Sequence, residues 1–307
     1  MTAEEIVVPP ALVAAQVRFR GAAGRAWVAG VARTAADYLD RWGLRRDGPP
    51  RSGMAGLVLP VVTADGTRAM LKLQDTDWDH PGEGLALRTW AGDGAARLLR
   101  EDPETWTLLL ERLDEDRDLR AVGDDDTAVR VVAGLLRRLN AYAAPPEIPR
   151  LDDKAAAMVA AAPAAAARLA DPAEARLLRR WADMLAEVVG EAGDRLLHWD
   201  LHYENVLAAG REPWLAIDPK PLAGDPGFEL SPVLWNEWDT TDPGPTIRRR
   251  FDILVDELGL DRQRAVVWTV GRVLQNSLWT VEDGGHALEP EQVTVAATLT
   301  GIPAPRG

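Results

Sequence analysis

The sequence predicts an α+β protein of two lobes, a strand-rich first third followed by a mainly helical remainder. Three observations carry this. Short apolar runs separated by turn signals crowd between residues 57 and 110. After Leu113 the apolar spacing changes to the three-to-four-residue period of helices. At 307 residues the chain also has room for two core-bearing lobes, at about 150 residues each.

The elements follow in order. Pro10–Ala36 reads as helix, with Leu12, Val13, Val17, Trp27, Val28 and Val31 as its apolar positions and Gly21 and Gly24 as points of interruption. Leu57–Val62 and Thr67–Leu73 read as a hairpin, because Asp65 and Gly66 tolerate the positive φ of a tight turn. His80–Trp90 reads as helix, then Ala95–Leu99 and Thr105–Leu110 as strands. The acidic stretch from Asp114 to Asp118 reads as a loop leading into a helix over Asp124–Tyr142, ended by Pro145, Pro146 and Pro149. Two Ala/Leu-rich helices reach about Glu191. Arg195–Trp199, Asn205–Ala208 and Trp214–Ile217 read as short strands, and Ile247–Leu258, Arg262–Glu282 and Glu289–Thr300 as helices.

Composition excludes several classes. With 47% hydrophobic and 27% charged residues the chain is ordinary globular material, not a disordered one. It has no cysteine, hence no disulfide, thiolate metal site or cysteine nucleophile. The balance of 48 acids and 35 bases gives −13, and no basic run suggests a nucleic-acid partner. The longest apolar stretch, Ala155–Ala167, is mostly alanine, contains Pro163 and is too short to span a bilayer. The N-terminus lacks the basic start of a secretory signal. A cytoplasmic, monomeric protein that binds neither nucleic acid nor membrane is expected. The bases are nearly all arginine; Lys72, Lys154 and Lys220 are the only lysines.

The segment from Leu197 to Leu207 carries the sharpest signal, His198-x-Asp200-x-x-x-x-Asn205, with Asp218 at a strand end thirteen residues beyond Asn205. Phosphoryl transfer from a nucleotide needs these parts. One carboxylate, Asp200, takes the proton of the attacking hydroxyl. Asn205 and Asp218 supply hard oxygens for magnesium, and the hairpin between them brings the two together. An alternative on the same segment is a zinc or iron site from His198, Asp200 and His202, which share one face of an extended chain. The first lobe supplies the complement. Lys72 alternates with Leu71 and Leu73 on the second hairpin strand. The loop Ser52–Gly56, with Gly53 and Gly56, lets backbone N–H groups approach phosphate. Glu83, early in the next helix, can pair with Lys72. Glycine loop, strand lysine, helix glutamate, His-x-Asp-x-x-x-x-Asn and strand-end aspartate stand in the order a kinase requires.

On these residues the chain resembles the aminoglycoside phosphotransferase family, in its streptomycin 6-kinase and hydroxyurea phosphotransferase branch. Leu-Lys-Leu at 71–73, the helix at 83–90, Leu-Leu-Leu-Glu-Arg-Leu at 108–113, the segment 211–220 and Gly-Asp-Pro-Gly-Phe-Glu-Leu at 224–230 extend the likeness. It is weakest over the first 50 residues and 145–190. The resemblance implies a protein-kinase-like two-lobed fold, with an N-lobe over 1–110, a hinge over 111–114 and a C-lobe over 115–307, and ATP, with GTP an open alternative, between the lobes. It implies Asp200 as catalytic base, Asn205 and Asp218 as magnesium ligands, Lys72 and Glu83 as the phosphate-gripping pair, and Glu111, Arg112 and Leu113 as the hinge whose backbone meets adenine. His198 and Asp225 would support the catalytic loop. Two positions depart from the pattern: Trp199 where the family often has glycine after the histidine, and Pro221 where the branch often has glycine.

The expected reaction is therefore ATP- and magnesium-dependent O-phosphorylation of a cationic small molecule, an aminoglycoside such as streptomycin, which would inactivate the antibiotic. Carboxylates and aromatic faces suit guanidinium groups. The candidates are Glu229, Glu237, Asp239, Glu282 and Asp283, with Trp199, Trp235 and Trp279. The alternatives are the same chemistry on a tuberactinomycin-type peptide, hydroxyurea or a metabolite, and a catalytically silent kinase-like binding protein.

Overall fold

The computed structural model describes residues 6–53, 56–76, 82–236 and 241–303. The chain divides into two compact units, Met1–Glu115 and Asp116–Gly307.

The first unit is built on a sheet covered by a long helix. Helix α1 (Pro10–Trp42) starts on a proline, which needs no intrahelical donor there, and ends on Gly43 at φ 64°. It runs further than the sequence suggests and keeps one interruption, Gly21 at φ 55°. There the chain bends enough that a Cβ on Gly24 would collide with the carbonyl oxygen of Gln16. Strands β1 (Arg45–Arg46), β2 (Arg51–Ser52), β3 (Gly56–Val62) and β4 (Arg68–Gln74) follow. Next come helix α2 (Glu83–Trp90) and strands β5 (Leu98–Asp102) and β6 (Thr107–Glu111). The sheet is antiparallel in the order β1-β3-β4-β6-β5, with β2 on β3. The register Leu57↔Leu73, Leu59↔Leu71 and Leu71↔Leu109 lines up leucines across three strands. These pack with Leu12, Val31, Ala35, Tyr38 and Trp42 of α1. Alternation then sends Lys72 to the other face.

Strand β7 (Asp114–Asp118) corrects the expected acidic loop. Its acids are met by cations, Glu115 by Arg112 and Asp118 by Arg120, so their charge does not oppose an extended backbone. The second unit contains α3 (Asp125–Leu139), α4 (Leu151–Ala166) and α5 (Pro172–Ala186). Strands β8 (Arg195–Leu197), β9 (Val206–Ala208), β10 (Trp214–Ala216) and β11 (Leu222–Gly224) follow, then α6 (Ser231–Leu234), α7 (Pro243–Leu258), α8 (Arg262–Glu282) and α9 (Pro290–Thr300). Pro163 does not end α4, which continues past it to Ala166. Aspartates cap the starts of α3, α5 and α8, where Asp124, Asp171 and Asp261 accept backbone N–H groups. Among the described residues no helix is long and apolar enough to cross a membrane.

Leu71 is fully buried at the centre of this core. Leu71→Ala is expected to cost about 2–5 kcal/mol. A urea melt should show a lower midpoint with an unchanged slope; an unchanged midpoint would show that α1 does not depend on this contact.

Candidate active site

In the first unit, β4 delivers Lys72 and the first residue of α2 delivers Glu83. Lys72 Nζ donates to Glu83 Oε1 at 2.8 Å and Oε2 at 2.7 Å, and Gln74 Nε2 donates to Oε2 at 2.6 Å. All three residues are buried. Removing either charge would strand the other in a low-dielectric setting, at about 3–5 kcal/mol. Gly82, at φ 105°, turns the chain into α2. Gly56 sits so close to β4 that a Cβ would meet the Leu73 carbonyl oxygen at 2.7 Å, whereas nothing lies within 4 Å of that position on Gly53. Met54 and Ala55 of the glycine loop, and His80, lie outside the described residues. Glu111 ends β6, where its carboxylate accepts the Arg97 N–H. The Arg112 side chain is engaged by Asp47 and Glu115, both at 2.7 Å, and Leu113 is buried.

In the second unit, β8 runs straight into the loop bearing Asp200. His198 is fully buried. Its Nε2 lies 2.9 Å from the Ile217 carbonyl oxygen and Nδ1 3.4 Å from the Asp200 N–H. The first contact requires Nε2–H and the second an unprotonated Nδ1, which fixes the tautomer. Burial drives its pKa down to about 3, so the ring stays neutral. With both nitrogens engaged by backbone, His198 is no metal ligand, which corrects the zinc or iron alternative. Among the described residues no group of three or more histidines or carboxylates is placed to hold a metal.

The loop is also braced from below. Glu229, expected to contact the acceptor, is instead fully buried, and its Oε1 accepts the Trp199 N–H at 2.7 Å. Burial raises its pKa to about 7, against the pull of the Trp199 and His198 N–H groups. Asp225 caps the short helical turn Pro226–Glu229 by accepting the Gly227 N–H at 2.8 Å, and takes Arg264 Nε at 2.7 Å. Asn205 Nδ2 donates to the Asp200 carbonyl at 2.9 Å, which leaves Oδ1 as the atom for a cation. Hairpin β9–β10 pairs Val206 with Ala216, and the Ile217 N–H reaches the Asn205 carbonyl at 2.9 Å. Asp218 follows directly, at φ 57°, with Lys220 Nζ 3.1 Å from its Oδ1. Burial raises the pKa of Asp200; His202 and Arg272 oppose that shift.

Trp199 holds φ 68°, a backbone state that favours glycine. Its ring is only 2% exposed. Lys154 Nζ lies 4.6 Å from the ring centroid, the Arg272 guanidinium 5.2 Å, and the Trp279 ring 6.2 Å. Trp279 is 41% exposed, and Glu282 and Asp283 are exposed at the end of the same helix. Trp235 is also exposed, on the segment after α6. Glu237 and Asp239 lie outside the described residues. Sequence reasoning missed Lys154 and Arg272. The rarity of lysine was a usable signal for Lys154, since each of the three lysines contacts a residue that the sequence singled out, Lys72 with Glu83, Lys154 with Trp199 and Lys220 with Asp218. Arg272, one arginine on a helix among many, carried none.

Two outcomes follow. Trp199→Gly relieves about 1–2 kcal/mol of left-handed strain but deletes a buried indole, a loss of about 3–5 kcal/mol. Net destabilisation is expected in a urea melt; equal or higher stability would show that the stack contributes nothing. Glu229 has a folded-state pKa of about 7, above its ordinary value of 4.5. Its contribution to stability is therefore fully present below pH 4.5 and falls as pH rises towards 7, by up to about 1.4 kcal/mol per unit. Glu229→Gln keeps an oxygen for the Trp199 N–H and should flatten that slope in urea melts between pH 5 and 8. Parallel slopes for the two proteins would refute the assignment.

Residues 41–284 match the family model described as aminoglycoside/hydroxyurea antibiotic resistance kinase. A streptomycin 6-kinase from Streptomyces glaucescens is 53% identical over 98% of this chain and 99% of its own. A hydroxyurea phosphotransferase from Kitasatospora aureofaciens is 55% identical over 96% of this chain and 86% of its own. Among solved structures, a choline/ethanolamine kinase family protein from Mesorhizobium loti superposes with a TM-score of 0.55 at 15% identity, over 83% of this chain and 87% of that one. The fold is protein-kinase-like, with a small strand-rich part and a larger, mainly helical one. The chain is a phosphotransferase and belongs to the aminoglycoside/hydroxyurea antibiotic resistance kinase family.

Proposed function

We propose that the protein transfers the γ-phosphoryl group of ATP to a hydroxyl of an aminoglycoside, streptomycin being the leading acceptor, and so inactivates the antibiotic. One observation carries this reading. The bond from the Ile217 N–H to the Asn205 carbonyl sets Asn205 and Asp218 at the same end of one hairpin, while the Asn205 amide holds the Asp200 carbonyl. The name of the 53% identical relative supports the acceptor. The net charge of −13 favours a cationic one.

In this reading residues 1–110 form the N-lobe, 111–114 the hinge and 115–307 the C-lobe. Lys72, fixed by Glu83 and Gln74, takes phosphate oxygens, and backbone N–H groups of the loop bearing Gly53 and Gly56 assist. The backbone of Glu111–Leu113 meets adenine. Asn205 Oδ1 and the Asp218 carboxylate are hard oxygen donors that fit magnesium, whose charge would neutralise the nucleotide phosphates when bound. Asp200 orients the acceptor hydroxyl and accepts its proton. The acceptor oxygen forms a bond to the γ-phosphorus, the bond to the bridging oxygen breaks, and ADP leaves. His198, Glu229 and Asp225 position the loop without touching substrate. Glu282 and Asp283 are exposed candidates for cationic groups of the acceptor.

A second reading keeps this chemistry and takes hydroxyurea as acceptor, favoured by the 55% identical relative. ADP release with magnesium-ATP, measured against streptomycin, other aminoglycosides, tuberactinomycin-type peptides and hydroxyurea, separates the two. Streptomycin-dependent turnover is expected, with a fall of roughly 10²–10⁴-fold in Asp200→Asn and nucleotide binding retained. Turnover that survives in that variant would refute the role of Asp200. Turnover with hydroxyurea alone would select the second reading.

A further inference from the structure

Among the described residues, neither Lys154 nor Arg272 makes an ion pair with a carboxylate. Arg250, equally buried, shows the usual arrangement: it is 2% exposed and donates to both oxygens of Asp125. Arg272 is 8% exposed and, among the described residues, meets no carboxylate within ion-pair distance. Its Nη1 donates to Gln275 Oε1 at 2.6 Å, and its buried Nε has no hydrogen-bond partner among the described residues. Lys154 contacts the Trp199 ring, and Arg272 the rings of both Trp199 and Trp279, the latter at 5.3 Å. Such contacts are worth about 0.5–2 kcal/mol each, against a burial cost of several kcal/mol per ion. The two cations also act on each other: burial and Arg272 both lower the pKa of Lys154. Burial lowers that of Arg272 to about 10, and only the field of Asp200 opposes it.

An anion brought by a ligand would complete this arrangement, and the reaction proposed above supplies one. The acceptor oxygen that gives its proton to Asp200 becomes a phosphate ester oxygen, so a phosphoryl group ends its transfer beside Asp200. We propose that Lys154 and Arg272, seated on Trp199 and Trp279, form a subsite for that phosphoryl oxyanion next to Asp200. The assignment rests on the phosphotransferase reading. Arg272 offers guanidinium donors in a fixed fork, and Lys154 a rotatable point charge, which suits a tetrahedral oxyanion. The same two charges disfavour a guanidinium group of the acceptor at this wall. Cationic groups are left to other faces of the acceptor site.

The test is calorimetric titration of inorganic phosphate into the full chain without nucleotide or acceptor, with acetate titrated in parallel. It needs no turnover, so failure of the acceptor assay and failure of this subsite are separate results. Phosphate is expected to bind more tightly than acetate. Arg272→Gln and Lys154→Gln should each weaken phosphate by about tenfold or more, and Arg272→Lys should recover part of that loss. Arg130→Gln, at an exposed paired arginine, should change nothing. Loss of phosphate binding in Lys72→Gln with retention in Arg272→Gln and Lys154→Gln would overturn the subsite, as would a wild-type chain that does not bind phosphate. Acetate bound as tightly as phosphate would overturn the phosphoryl assignment in favour of an acceptor carboxylate.

Discussion

The candidate site depends on one backbone constraint, the left-handed turn at Trp199. It lies between His198, whose side chain is locked in the interior, and Asp200, whose side chain the chemistry needs. Almost any residue but glycine is strained there. The strain persists because the surroundings over-determine it: Glu229 takes the Trp199 N–H, His198 ties the loop to Ile217, and cations and an indole contact the Trp199 ring. The braces come from four places in the chain, the turn at Pro226–Glu229, the residue after β10, α4 and α8. The loop is therefore a product of the whole second unit and not of its own eleven residues.

The first unit solves a related problem by simpler means. A lysine is placed inside a sheet by giving it an apolar strand whose alternate residues are claimed by α1. Leu71 and Leu73 go to the helix, and Lys72 has one face left. Glu83 meets it because α2 starts on that glutamate. The pair is held by packing on one side and charge on the other.

Much of this was legible in the sequence, for identifiable reasons. Strand alternation and the Asp65-Gly66 turn fixed the hairpin and the facing of Lys72. The spacing from Asn205 to Asp218 suits a short hairpin with both residues at its open end. The acidic strand at 114–118 was not legible, because composition argues for a loop and the flanking Arg112 and Arg120 carry no mark of an extended backbone between them. Nor was the task of Glu229. Thirty residues separate it from the N–H it accepts, and no local pattern distinguishes a buried brace from an exposed acid. Lys154 and Arg272 were hidden for the same reason, since Trp199 joins them only in the folded chain.

The scarcity of lysine has a practical side. A surface clad almost wholly in arginine is nearly silent to amine-directed reagents. The three lysine amines instead sit against Glu83, Trp199 and Asp218. Acylation or reductive methylation of this protein therefore acts as a footprint of the site itself. The extent of labelling at each lysine reports occupancy there.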